Sequence, residues 1–134
     1  MTTIVWDPAL ETGDATIDGQ HRRIFGLAAA LAEAVESKER DAEAVADCVW
    51  QLTDYVVEHF ADEEELMASV GYPRLSVHRD LHAHLTGETL RIAARYFNGE
   101  DLSADSLAPF VAGWLRDHIL DSDMDFVRYR TQRT

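Results

Sequence analysis

The chain has 134 residues, 46% hydrophobic and 28% charged, enough apolar material for one buried core under a charged exterior. Twenty-five acids against twelve Lys and Arg give a formal net charge of −13, which argues against nucleic-acid binding, because phosphate backbones demand a basic face. No stretch approaches the roughly 20 apolar residues that span a bilayer, and Met1 to Glu11 lacks the basic cluster and apolar run of a secretory leader. A cytoplasmic address is expected, with the lone Cys48 as a small buried apolar residue beside a helical seam.

Residues 1–17 contain Asp7-Pro8 and Gly13 and no periodicity, and read as an extended N-terminal arm. Asp18 is the expected N-cap of a first helix whose inner face runs Ile17, His21, Ile24, Ala28, Leu31, Val35. That helix ends near Ser37 to Arg40, and Asp41 or a neighbour starts the second. The second seam runs Val45, Val49, Leu52, Val56, His59, Glu63, Leu66, Val70, in unbroken steps of four and three. Gly71-Tyr72-Pro73 stops it, with Gly at the end and Pro at the next start. A third helix spans Arg74 to Phe97 with the seam Leu75, His78, His82, Leu85, Thr89, Ile92, Tyr96, and Asn98-Gly99 closes it. The fourth is capped by Ser103 or Ser106, tolerates Pro109 only near its first turn, and follows Leu107, Val111, Trp114, His118 until the register fails. No β pattern or internal repeat appears. The expectation is an all-α, antiparallel up-down-up-down four-helix bundle at 18–134, a single domain with its arm.

A glutamate inside an apolar seam must be paired, protonated or metal-bound. A lone seam histidine such as His21 is ordinarily a hydrogen-bonded core residue. His59 and Glu63 at i, i+4 make a possible surface pair, and His78 with His82 a possible polar face. Their heights decide otherwise. Counting from the turn at 71–73 at about 1.5 Å per residue, His59 and Glu63 lie roughly 12 to 18 Å down one helix, and His78 and His82 roughly 8 to 14 Å down the next. Imidazoles and carboxylates therefore meet in one layer, which points to a metal site. The number of ligands calls for two ions bridged by carboxylates. Mixed nitrogen and oxygen donors suit iron, manganese or zinc, not an all-oxygen calcium or magnesium site, and the lack of thiolates removes iron–sulfur clusters.

The segments Ile17-Asp18-Gly19-Gln20-His21, His59-Phe60-Ala61-Asp62-Glu63-Glu64 with Leu66-Met67, Gly71-Tyr72-Pro73, His78-x3-His82 and Trp114-Leu115-x2-His118-Ile119-x3-Asp123 resemble the hemerythrin family in its prokaryotic, single-domain form. The resemblance covers nearly the whole chain, including the Trp6-Asp7-Pro8 arm. It implies a non-haem di-iron centre, oxo- or hydroxo-bridged. His78, His82 and His118 would hold one iron, His21 and His59 the other, and Glu63 and Asp123 would bridge them. It further implies dioxygen as ligand at the His21–His59 iron, within an apolar pocket of Ile24, Phe60, Trp114, Leu115 and Ile119. His84 matches no ligand position and is expected at the surface. Glu64 and Glu65 are expected to be solvated or to support the ligand layer from outside.

The implied function is reversible dioxygen binding for transport, storage or delivery, without enzymatic turnover. An imidazole-rich site favours this over the carboxylate-rich ligation of ferritin-like oxygenases. A di-iron oxidase, a peroxidase or nitric-oxide-reducing centre, and an oxygen or redox sensor working through a separate signalling protein are the alternatives, with iron handling behind them. Geometry adds one demand. His118 and Asp123 are five residues apart, about 140° around a regular helix, so a wide or π-type turn, or a helix end near Asp121, must lie between them.

Overall fold

The computed structural model describes residue 4 and residues 6–132. Its long elements are α1 (Ala15–Glu36), α2 (Ala42–Ser69), α3 (Leu75–Phe97) and α4 (Ser103–His118), followed by a π-helical turn (Ile119–Asp123) and α5 (Met124–Gln132). Each of α1 to α4 packs on its neighbours in a closed ring, α1 on α2, α2 on α3, α3 on α4 and α4 on α1, and short connections make adjacent helices antiparallel. No strand occurs among the described residues, and no helix there is long and apolar enough to cross a membrane.

The start of α1 departs from the expectation. Asp14, not Asp18, is the N-cap and accepts the Ile17 N–H at 2.9 Å. Asp18 is buried one turn inside, where its carboxylate accepts the Thr12 N–H and Oγ1–H at 2.8 Å and the Gly13 N–H at 3.2 Å. Both aspartates are good capping residues by type, and the arm's need for an anchor decides between them. Residues 1–3 and 5 of the expected arm lie outside the described residues; the described part holds a 3₁₀ turn at Pro8–Leu10, buries Leu10 and sets Trp6 edge-on to Phe25 at 5.5 Å.

Asp41 caps α2 as expected, by accepting the Glu43 N–H at 3.1 Å. Gly71 has φ +66, the left-handed region in which a Cβ is strained, and so lets the chain reverse after α2. Neither Ser103 nor Ser106 caps α4. Their hydroxyls donate to Glu100 Oε2 and to the Ser103 carbonyl. Pro109 sits a turn deeper than expected, on an exposed face where water can reach the carbonyl that its ring leaves unpaired. Cys48 is half-buried rather than buried, because the α2 seam runs one position beyond it at Val49.

Two apolar clusters form the interior. The larger contains Ile24, Leu31, Val49, Leu52, Val56, Phe60, Leu85, Leu107, Val111, Leu115 and Ile119. The smaller, at the α5 end, contains Ile17, Met67, Tyr72 and Phe126. Between Ile17 and Ile24 on α1, and between Leu75 and Leu85 on α3, the seam residues are histidines. The polar layer is thus sealed above and below by hydrocarbon.

Candidate metal centre

All seven expected ligands reach this layer and are buried: His21 from α1, His59 and Glu63 from α2, His78 and His82 from α3, His118 at the end of α4, and Asp123 from the π turn. The required distortion lies between the last two. The Met124 N–H bonds to the Ile119 carbonyl, five residues back, so positions five apart share a face and Asp123 turns inward beside His118.

The donors fall into two groups that share both carboxylates: Glu63, His78, His82, His118 and Asp123 in one, and His21, His59, Glu63 and Asp123 in the other. Each carboxylate divides its oxygens between them. Glu63 Oε1 lies 2.9 Å from His78 Nε2 and 3.2 Å from His82 Nε2, while Oε2 lies 3.4 Å from His59 Nε2 and 3.7 Å from His21 Nε2. Asp123 Oδ1 lies 3.0 Å from His118 Nε2 and 3.2 Å from His78 Nε2, and Oδ2 lies 3.0 Å from His21 Nε2. Both carboxylates thus belong to both donor groups.

The buried atoms themselves test whether ions fit. His21 Nε2, His59 Nε2, Glu63 Oε2 and both Asp123 oxygens are buried with no aligned hydrogen-bond partner. Buried polar atoms are rarely left so, unless an ion satisfies them. His82 Nε2 and His118 Nε2 face each other at 3.0 Å. Donors about 2.1 Å from a shared ion, at right angles, stand about 3.0 Å apart. Five imidazoles and two carboxylates without a thiolate fit a pair of iron ions.

Two residues outside the layer fix histidine tautomers. Gln20 Nε2 donates to Asp62 Oδ2 at 3.2 Å, and since a carboxylate only accepts, this sets the amide orientation. Gln20 Oε1 then accepts the His59 Nδ1–H at 2.7 Å and leaves the Nε2 lone pair facing inward. Glu64 Oε2 accepts the His82 Nδ1–H at 2.9 Å, with the same result. Phe60 stacks flat on the His82 ring at 3.9 Å and 10°. Glu64 thus supports the layer from outside, whereas Glu65 and His84 are exposed. Gln20 was not anticipated. It lies one residue off the α1 seam, and only the approach of α2 gives it a partner.

Without an ion the cluster takes up protons. Burial pulls the His21 imidazolium down, but the Asp123 and Glu63 carboxylates outweigh this and hold it up at about 9. His118 follows the same logic and rises to about 10, and His78 is also raised. For Glu63, burial favours the neutral acid, yet His118, His21, His59 and His78 hold it well below the ordinary carboxylate range. Burial and the Glu63 charge push Asp123 up, while His118 and His21 bring it down to about 2. Two ionised carboxylates among imidazoles present the charge that a cation would neutralise.

Of the five apolar residues expected as a dioxygen pocket beside His21 and His59, Ile24, Leu115 and Ile119 are fully buried and Phe60 nearly so. Trp114 is half-buried, 5.4 Å from Phe60 and 6.4 Å from His118, and lines a surface cleft of about 200 Å³ with Leu81, Leu85 and Asp117. Phe60 and Trp114 therefore lie against the three-histidine group, through His82 and His118.

Comparison with known proteins places the chain in a family. The Hemerythrin HHE cation binding domain matches residues 12–129. The chain belongs to the hemerythrin family. It is 35% identical over 127 residues to a bacteriohemerythrin of Pseudomonas paraeruginosa, covering 95% of this chain and 81% of that one. It is 36% identical over 126 residues to a bacteriohemerythrin of Stenotrophomonas maltophilia, covering 94% and 80%. A crystal structure of a hemerythrin mutant superposes with a TM-score of 0.85 at 26% identity, covering 96% of this chain and 97% of that one.

Proposed function

We propose that this chain binds dioxygen reversibly at a non-haem di-iron centre, as a carrier, store or delivery protein rather than an oxygenase. The observation that carries the reading is the unequal division of donors around two shared carboxylates. His78, His82 and His118 complete one group, while His21 and His59 alone complete the other, which leaves the second group one protein donor short. That is where an external ligand has room. His21, His59, Glu63, His78, His82, His118 and Asp123 would hold two ferrous ions, which would supply the two electrons that dioxygen takes up on binding and returns on release.

The chain's part is to keep that exchange reversible. Glu63 and Asp123 link the two groups and offset the cationic charge, and the five imidazoles add none. Fewer negative ligands than the four carboxylates of ferritin-like sites give less support to highly oxidised iron. Gln20 and Glu64 hold His59 and His82 with their lone pairs inward. Ile24, Phe60, Trp114, Leu115 and Ile119 supply an apolar wall that limits entry of water and protons. The donor residues are His21, His59, Glu63, His78, His82, His118 and Asp123.

Iron-loaded protein should contain two irons per chain and no haem. Reduced protein should gain a visible absorption in air and lose it under argon over repeated cycles. A reproducible content of one iron, or a preference for zinc with iron in excess, overturns the di-iron assignment. Absorption that forms once and does not reverse while a substrate is consumed replaces the carrier with an enzyme.

A further inference from the structure

A metal site needs an entry path as well as donors, and hydrocarbon closes this layer above and below. An ion must therefore arrive from the side. Among the described residues, three surface clefts touch donors. One, of about 190 Å³ between α1 and α2, has Glu63 in its wall. The others lie along α3 and the π turn, about 240 Å³ at His78 and about 200 Å³ at His118. These two share Leu81, Asp121 and Ser122 and so form one groove.

Charge separates the two sides. In the α1–α2 cleft the acids are engaged, Asp14 by an ion pair with Arg130 and Asp62 as acceptor from Gln20. A cation entering there meets a guanidinium. At the His78 end of the groove, Asp125 accepts from the Tyr72 hydroxyl at 3.1 Å and lies 3.8 Å from Arg74 Nη1. At the His118 end, Asp117 and Asp121 are exposed and have no ion-pair partner among the described residues. Like charges four residues apart on a helix repel, so this pair brings no stability of its own.

His118 stands in both the groove and the layer. It is 4% exposed, and its Nε2 lies 3.0 Å from Asp123 Oδ1 and 3.0 Å from His82 Nε2. Its Nδ1 is buried with no hydrogen-bond partner. His59 and His82, by contrast, are tied through Nδ1 to Gln20 and Glu64. His21 shares the unpartnered Nδ1 but lines none of the three clefts. His118 is thus the donor that no outer side chain holds and that an ion meets first at the acidic end of the groove.

We propose that this groove is the entry path for ferrous iron, which Asp117 and Asp121 draw in and His118 passes to the three-histidine group. A cleft lined by one sign of charge raises the arrival rate of the other about 10- to 1,000-fold. This path presupposes that the layer is an iron centre: iron content at equilibrium tests that reading, and the rates of uptake and release test the path.

Asp117→Asn combined with Asp121→Asn should slow anaerobic uptake of ferrous iron by the metal-free full chain about three- to tenfold at low ionic strength. The effect should largely vanish near 1 M salt, where the Debye length is about 3 Å. Release from the iron-loaded chain to excess ferrozine should slow by the same factor, so iron content at equilibrium stays that of the parent. Damage to the centre would speed release instead. Asp54→Asn with Glu58→Gln removes two exposed charges from the outer face of α2 and should leave both rates nearly unchanged. Rates of the groove variant equal to those of the parent overturn the path. So does equal slowing by the α2 variant, which would make the effect one of net charge. Greater slowing by Asp62→Asn than by the groove variant overturns it too, because the entrance would then be the α1–α2 cleft.

Discussion

Replacing Glu64 tests whether His82 is a metal donor held from outside the layer. The Glu64 carboxylate accepts the His82 Nδ1–H at 2.9 Å and is itself approached by Arg79 Nε at 3.4 Å. The Arg79 side chain is 55% exposed, so that ion pair contributes under about 1 kcal/mol and the histidine contact dominates. Loss of such an outer partner typically lowers metal affinity about 10- to 100-fold, or about 1.4 to 2.8 kcal/mol. Glu64→Ala should therefore shift iron retention by that amount in competition with a chelator. Glu64→Gln, which keeps an acceptor and loses the charge, should fall between. Glu65→Gln, one residue away and exposed, is the control and should change nothing. If Glu64→Ala retains iron as the parent does, His82 either is not a ligand or is oriented entirely by Phe60, and the tautomer argument fails.

Other outcomes follow from the same contacts. Asp18→Ala removes a buried acceptor of three hydrogen bonds and should cost about 2–3 kcal/mol of stability in denaturant titration, with iron content intact; a loss within error would mean that the arm is not anchored there. In metal-free protein the raised His21 and His118 contribute stability that is complete below their unfolded value of about 6.5 and is lost as pH climbs through about 9 to about 10, so its melting temperature should fall across that range. Iron-loaded protein, whose donor nitrogens carry no protons, should lack that alkaline loss, and identical pH profiles for the two forms would contradict the assignment. Leu115→Ser should leave two irons bound and shorten the lifetime of the oxygenated absorption severalfold, because it opens the buried wall to water; an unchanged lifetime would remove Leu115 from the barrier.

What the sequence disclosed, and what it withheld, divides by the range of the interaction. The α2 seam is legible because one helix carries the whole pattern, and burial of Val45, Val49, Leu52, Val56, His59 and Glu63 follows from steps of four and three. The same rule yields His78 and His82 on α3. Asp14 and Asp18 look alike locally, and only the fold of the arm over α1 separates cap from anchor. Gln20 and Asp62 belong to different helices, and their role depends on the rotation of α1 against α2, which no single-helix period encodes. The lean of Phe60 and Trp114 toward His82 and His118 has the same origin.

Asp123 joins these two kinds of information. Regular α-helical rotation would turn it about 140° from His118, out of the layer. The π turn at Ile119–Asp123 leaves the α-helical ladder, a local cost that a helix ordinarily avoids. In return it brings a second carboxylate beside Glu63, with one oxygen toward His118 and His78 and the other toward His21. Without that turn Glu63 would be the only buried anion among five imidazoles, too little charge to balance two divalent cations in an apolar layer. The distortion therefore sits where the charge requirement of the centre outweighs the backbone's preference, and the same five residues seal the layer through Ile119, which is fully buried.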